Sequence, residues 1–111
     1  MRRLLLSLLC ASLLVSPASA TWSIVVVDRR TGEVAIGAAT CIAQSNLTRG
    51  LPAIVTGVGG TVVQASGSSA NNVPVIAAMR AGATPAELLE IMQAVEPSVP
   101  QLQTGILTMN G

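Results

Sequence analysis

From Trp22 to Asp28 the chain is almost continuously apolar, Trp22-Ser23-Ile24-Val25-Val26-Val27, and β-branched residues dominate the run. That pattern predicts a buried strand. The polar stretch Asp28-Arg29-Arg30-Thr31-Gly32-Glu33 follows, with a glycine where a hairpin connection needs one. Val34 to Ile42 is a second apolar run, rich in small residues, so the chain opens with a β-hairpin. Ala43 to Pro52 carries Gln44, Ser45, Asn46, Thr48, Arg49 and Gly50 and reads as a loop. Ala53–Gly57 and Thr61–Ala65 are short strand candidates joined by Val58-Gly59-Gly60. Ser66-Gly67-Ser68-Ser69-Ala70-Asn71-Asn72 is a polar segment leading into helical sequence.

Two helices are written next. Val73–Arg80 is apolar with helix formers, Asn71 or Asn72 is placed to cap it, and Gly82 ends it. Thr84-Pro85-Ala86-Glu87 starts the second, with a cap threonine, proline in the first turn and glutamate three residues on. Leu88, Leu89, Ile91, Met92 and Val95 then recur at helical spacing until Pro97. Ser98–Gln103 reads as a loop and Thr104–Met109 as a strand. Asn110-Gly111 is a hairpin turn signal whose second strand is not in the sequence, which predicts a partial chain.

Residues 1–20 have a different character. Arg2 and Arg3 precede an apolar stretch from Leu4 to Val15 broken by Ser7 and Ser12, then Pro17 and the small-residue site Ala18-Ser19-Ala20. This is the pattern of a secretory signal peptide, too short to span a bilayer comfortably. Cleavage after Ala20 would leave one small domain, residues 21–111, exported to the periplasm or the extracellular space, with no stable membrane insertion.

Charge and composition narrow the chemistry. Within residues 21–111, Arg29, Arg30, Arg49 and Arg80 balance against Asp28, Glu33, Glu87, Glu90 and Glu96, and there is no lysine, histidine, tyrosine or phenylalanine. Nucleic acid is not an expected partner, because basic patches and stacking rings are both missing. Residues 21–111 hold one cysteine, Cys41, and no histidine, which gives no expectation of a metal, and no cofactor is expected. Cys41 lies in the apolar run Ala38-Ala39-Thr40-Cys41-Ile42 and reads as a small buried hydrophobe. Glu87 and Glu90 belong to a solvated helix face.

Without histidine, neither a Ser-His-Asp nor a Cys-His arrangement can form. Thr21 offers another route. As a mature N-terminus it would carry a hydroxyl and a free amine on adjacent carbons, a nucleophile and a base in one residue. An α-amine has an ordinary pKa of about 8, close to a working pH, which suits a general base.

Thr21-Trp22-Ser23-Ile24-Val25-Val26-Val27-Asp28, followed by Thr31-Gly32-Glu33-Val34-Ala35-Ile36-Gly37-Ala38-Ala39-Thr40, resembles the start of domain-of-unknown-function family ten twenty-eight. Gly57-Val58-Gly59-Gly60-Thr61-Val62-Val63-Gln64-Ala65 and Arg80-Ala81-Gly82-Ala83-Thr84-Pro85-Ala86-Glu87 extend the likeness over the whole mature stretch. That family is placed in the N-terminal nucleophile (Ntn) hydrolase superfamily. The resemblance implies an α+β fold, a four-layer α/β/β/α sandwich with two antiparallel sheets, of which this chain holds the N-terminal half. It also implies that Thr21 is the nucleophile and that Ser23 and Thr40, on the flanking strands, help position the terminal amine. Backbone amides around Gly59 and Gly60 or Ser66 are the implied oxyanion-hole candidates. The proteasome branch tunes its threonine with lysine and aspartate; this chain has no lysine, and no aspartate follows the second strand.

The expected function is therefore a secreted Ntn-type hydrolase, an amidohydrolase or peptidase, acting on a small-molecule or peptide amide. The alternatives are a non-catalytic binding or scaffold module with the same fold, or an inactive truncated fragment. Half a sandwich leaves sheet edges and one sheet face uncovered, so the isolated chain is expected to be unstable or to form a homo-oligomer.

Overall fold

The computed structural model describes residues 21–42, 46–64, 69–97 and 99–111, with the side chain of Gln101 excepted. Residues 1–20, the expected signal peptide, and the oxyanion-hole candidate Ser66 lie outside the described residues.

The fold is α+β, a partial sandwich of two antiparallel sheets with helices on one side. Strands β1 (Thr21–Asp28) and β2 (Glu33–Thr40) form the predicted hairpin, in register from Thr21 opposite Thr40 to Asp28 opposite Glu33. Strands β3 (Pro52–Val55), β4 (Gly59–Val63) and β5 (Thr104–Thr108) form the second sheet with β4 in the centre. Helices α2 (Asn72–Arg80) and α3 (Pro85–Val95) pack against β3 and β5 respectively, and the hairpin stacks on the sheet's other face.

The main core lies between the second sheet and its helices. Ala53 and Val63 from the sheet meet Val75 and Met79 of α2, Leu88 and Met92 of α3, and Val99. Val75 and Leu88 have no exposed surface at all. Burying a side chain of this size contributes about 1.5–3 kcal/mol, so these few residues dominate the stability of the helical side.

The interface between the two sheets is thinner. It depends on glycine. A Cβ on Gly60 would lie 3.1–3.4 Å from side-chain carbons of Ile36, Val34 and Val25, and one on Gly105 would lie 3.8 Å from Val25 across the interface and 3.2 Å from its own strand partner Val62. The bare backbone of β4 and β5 lets the hairpin settle close to the sheet.

Several expectations are corrected. Strand β1 is buried on one face only: Trp22, Ile24 and Val26 are 60%, 52% and 49% exposed, while Ser23, Val25 and Val27 face inward. Both faces of the strand are apolar in sequence, so alternation carried no signal of which face was covered. Cys41 is exposed, not buried, because β2 ends at Thr40, opposite the first residue of β1, and the chain leaves the sheet there. The loop expected over residues 43–52 contains one helical turn, α1 (Leu47–Gly50), which buries none of its side chains.

The turn between β3 and β4 is Thr56-Gly57-Val58, not Val58-Gly59-Gly60, and the strands start earlier than predicted. Gly57 has a positive φ of 77°. Gly59 and Gly60 belong to the strand because a Cβ on Gly59 would collide with the Leu107 carbonyl of β5. Neither asparagine caps α2. A 3₁₀ turn (Ser69–Asn71) leads into the helix, the Asn71 amide donates instead to Glu96 at 3.2 Å, and Asn72 donates to the Pro52 carbonyl at 3.1 Å.

Other signals hold. Glu87 and Thr84 form the capping box: the Thr84 hydroxyl accepts from the Glu87 amide, and the Glu87 carboxylate accepts from the Thr84 amide at 2.7 Å. Helix α2 ends in a Schellman arrangement, with the Gly82 amide donating to Met79 and the Ala83 amide to Ala78. A second 3₁₀ turn, Val99–Gln101, falls in the predicted loop. The final turn is centred on Met109-Asn110, one residue earlier than the Asn-Gly reading, and is closed by paired main-chain bonds between Thr108 and Gly111. No helix among the described residues is long and apolar enough to cross a membrane.

Candidate active site

Three site candidates meet at the open end of the hairpin. Thr21 begins β1 and Thr40 ends β2, and their register puts them side by side. Their hydroxyls are 2.9 Å apart, and the Thr40 oxygen also accepts from the Ile42 amide at 3.2 Å. Since a hydroxyl has one proton, that bond leaves the Thr40 O–H available to donate toward Thr21.

Ser23 lies on the same inward face of β1, two residues on. Its partner comes from the other sheet. Gln64 follows the last residue of β4, is 8% exposed, and reaches across the gap to Ser23. The orientation of its carboxamide follows from the neighbours. With the oxygen toward Ser23 it accepts from the Ser23 amide at 3.0 Å and from the Ser23 hydroxyl. The amide nitrogen then donates to the Thr21 carbonyl and to Gln103 Oε1 at 3.2 Å. The Gln64 main chain is held as well, its N–H donating to the Gln103 carbonyl at 2.9 Å.

An open cleft of about 460 Å³ lies beside this cluster, between β1 and β5, with Ser23, Val25, Gln64, Gln103, Gly105 and Leu107 among its walls. Gln64 is thus shared: one side of it braces the first residues of β1 and another faces the cleft.

Gly59 and Gly60 are placed differently. Both are buried in β4, between β3 and β5, and their positions in the ladder are opposite Thr108 and Leu107. Gly60 faces Val25, Val34 and Ile36 in the inter-sheet packing, nearer the middle of β1 than its start. The structure therefore brings Thr21, Ser23 and Thr40 together and puts the two glycines in the sandwich interior.

The shifted acids lie elsewhere. Asp28 ends β1, about 23 Å along the strand from Thr21 at the usual rise per residue. Backbone N–H groups of Arg30 and Thr31 hold its carboxyl below the usual range. Glu87 is held low by the Thr84 amide and hydroxyl at the start of α3. Among the described residues, no three His, Cys, Asp or Glu side chains converge.

Sequence reasoning gave no role to Gln64 or Gln103. Gln64 shows one local sign, a polar amide ending the apolar run Thr61-Val62-Val63. Its partner is 41 residues away, and nothing local announces that contact. A family model described as a family of unknown function (DUF1028) matches residues 21–111. No curated protein and no solved structure matches the chain.

Proposed function

This chain belongs to DUF1028, a family of unknown function, and we propose that it is an exported hydrolase of the N-terminal-nucleophile type that cleaves an amide bond. The observation that carries the reading is the Thr21 hydroxyl, set at the first position of β1 on its inward face and 2.9 Å from the Thr40 hydroxyl. A signal cut after Ala20 supplies the free amine, and the cleft beside Ser23 and Gln64 supplies room for an acyl group.

The chemistry balances within one residue and one water. The Thr21 amine takes the hydroxyl proton, directly or through a water, and Oγ1 bonds to the substrate carbonyl carbon. The resulting ammonium returns that proton to the leaving nitrogen as the C–N bond breaks, leaving an ester on Thr21. Water then attacks the ester with the amine again as base, the acyl C–Oγ1 bond breaks, the ammonium returns the proton to Oγ1, and a carboxylic acid departs. The Thr40 hydroxyl donates toward Oγ1, orients its lone pairs and stabilises it as its proton leaves.

Mass spectrometry of the exported protein tests the first step, and Thr21 is the expected first residue. An amide or ester probe that reacts with hydroxyls is expected to label the mature protein at Thr21 and to leave Thr21→Ala unlabelled. A mature chain starting elsewhere, or labelling that survives Thr21→Ala, overturns the reading.

A further inference from the structure

We infer that Gln64 is the positioning residue for Thr21, a role that rests on the function proposed above. The first residue of a strand is prone to fray, and a mature Thr21 would have no residue before it to hold it. The Thr21 carbonyl and the Ser23 amide project to the same side of β1, as groups two residues apart do. The Gln64 carboxamide spans both, its nitrogen on the carbonyl and its oxygen on the amide, as the N–H and C=O of one residue in a neighbouring parallel strand would. A side chain from the second sheet thereby closes one rung of a ladder against the two residues that start the hairpin.

Two further contacts make that rung rigid. The Gln64 main chain and its side-chain nitrogen both bond to Gln103, so the glutamine is fixed before it reaches β1. The Ser23 hydroxyl uses the same carboxamide oxygen, which ties its rotamer to the rung. Burial of Gln64 excludes competing water and makes loss of its donors costly. With its carbonyl held, Thr21 keeps the backbone angle that presents its hydroxyl to Thr40. Gln64 touches neither the nucleophilic oxygen nor the amine. It acts through the carbonyl.

The test uses mature protein beginning at Thr21 and two variants, Gln64→Ala and Gln64→Glu. The glutamate keeps an acceptor for Ser23 and loses the donor to Thr21. Hydrogen exchange at the Ser23 amide reads the rung directly, and the rate of probe labelling at Thr21 reads its effect on chemistry. Both variants are expected to slow labelling by about 10²-fold, the scale of a small misplacement of reacting groups. Ser23 protection is expected to fall in Gln64→Ala. In Gln64→Glu the labelling-rate profile is also expected to move to higher pH, because a carboxylate close to Thr21 favours its ammonium form. A core variant, Val75→Ala, controls for stability and is expected to lower the melting temperature without changing the pH profile. Unchanged Ser23 protection in Gln64→Ala, or labelling in both variants that slows no more than in Val75→Ala, overturns the positioning role while a Thr21-dependent reaction in wild type stands. Wild-type labelling that survives Thr21→Ala overturns the hydrolase reading and the positioning role with it, whatever the exchange data show.

Discussion

The two ends of the β1–β2 hairpin are held by different kinds of bond. At the turn, the Asp28 carboxylate braces the loop locally, but the tie to the second sheet is main chain to main chain. The Gly32 amide donates to the Asp28 carbonyl at 2.8 Å, and the Gly57 amide of the neighbouring turn donates to the Gly32 carbonyl at 2.8 Å. Both glycines have positive φ, 76° and 77°, which lets the two turns meet backbone to backbone. At the open end the ties are side chains: Thr21 to Thr40 across 19 residues and Ser23 to Gln64 across 41. A backbone tie asks only that the chain can reach its conformation. A side-chain tie asks for a particular functional group, and the inter-sheet ties of that second kind gather where the candidate nucleophile sits.

Substitutions can break this contrast in graded ways. Gly60→Val should have the largest effect on stability, because it places a branched side chain against Val25, Val34 and Ile36 midway between the ends. A loss of about 3 kcal/mol by chemical denaturation, with slower Thr21 labelling, is expected. Gly57→Val should cost about 2 kcal/mol through its positive φ while labelling stays at the wild-type rate. Equal slowing of labelling in that variant would show that the ends are not separable. Thr40→Val removes the hydroxyl beside Thr21 at nearly constant volume. It should slow labelling about fivefold, equivalent to the ~1 kcal/mol of one hydrogen bond, and change unfolding by no more than about that amount.

The smallest effect is the acid response of the turn. Asp28 is held below its ordinary pKa by the Arg30 and Thr31 amides, so its contribution is fully present above about pH 4 and is lost as the pH falls through the lower folded value. Unfolding midpoints measured down the acid range should fall less steeply in Asp28→Asn than in wild type. The same substitution should leave labelling at neutral pH unchanged, since Asp28 is at the opposite end of β1 from Thr21.

The contrast also explains which parts of the molecule were legible in the sequence. The hairpin turn, the Thr84–Glu87 capping box and the α3 stripe rest on contacts within a few residues, and local pattern finds those. Gly59 and Gly60 were misplaced in a turn because glycine signals a turn and a close strand approach equally; β5, more than forty residues on, distinguishes Gly59, and the stacked hairpin, more than twenty residues before, distinguishes Gly60. The same holds for the site. Thr21 stood out through its place after a cleavage signal, and Thr40 and Ser23 followed from the hairpin once a family likeness pointed there. Gln64 needed the stacking of two sheets. Cys41 misled because its run of small apolar residues continues past the point where β2 loses its partner.

Trp22 is the chain's single tryptophan, and there is no tyrosine or phenylalanine. Every photon of intrinsic near-ultraviolet emission therefore comes from one indole, half in solvent and adjacent to Thr21. The helical core is optically silent in that window. Heating followed by emission would report the undocking of the first strand, while circular dichroism in the far ultraviolet would report the helices. A gap between the two midpoints would measure how independently the open end of the hairpin comes loose, and a change in emission on acylation would time the reaction without a reporter substrate.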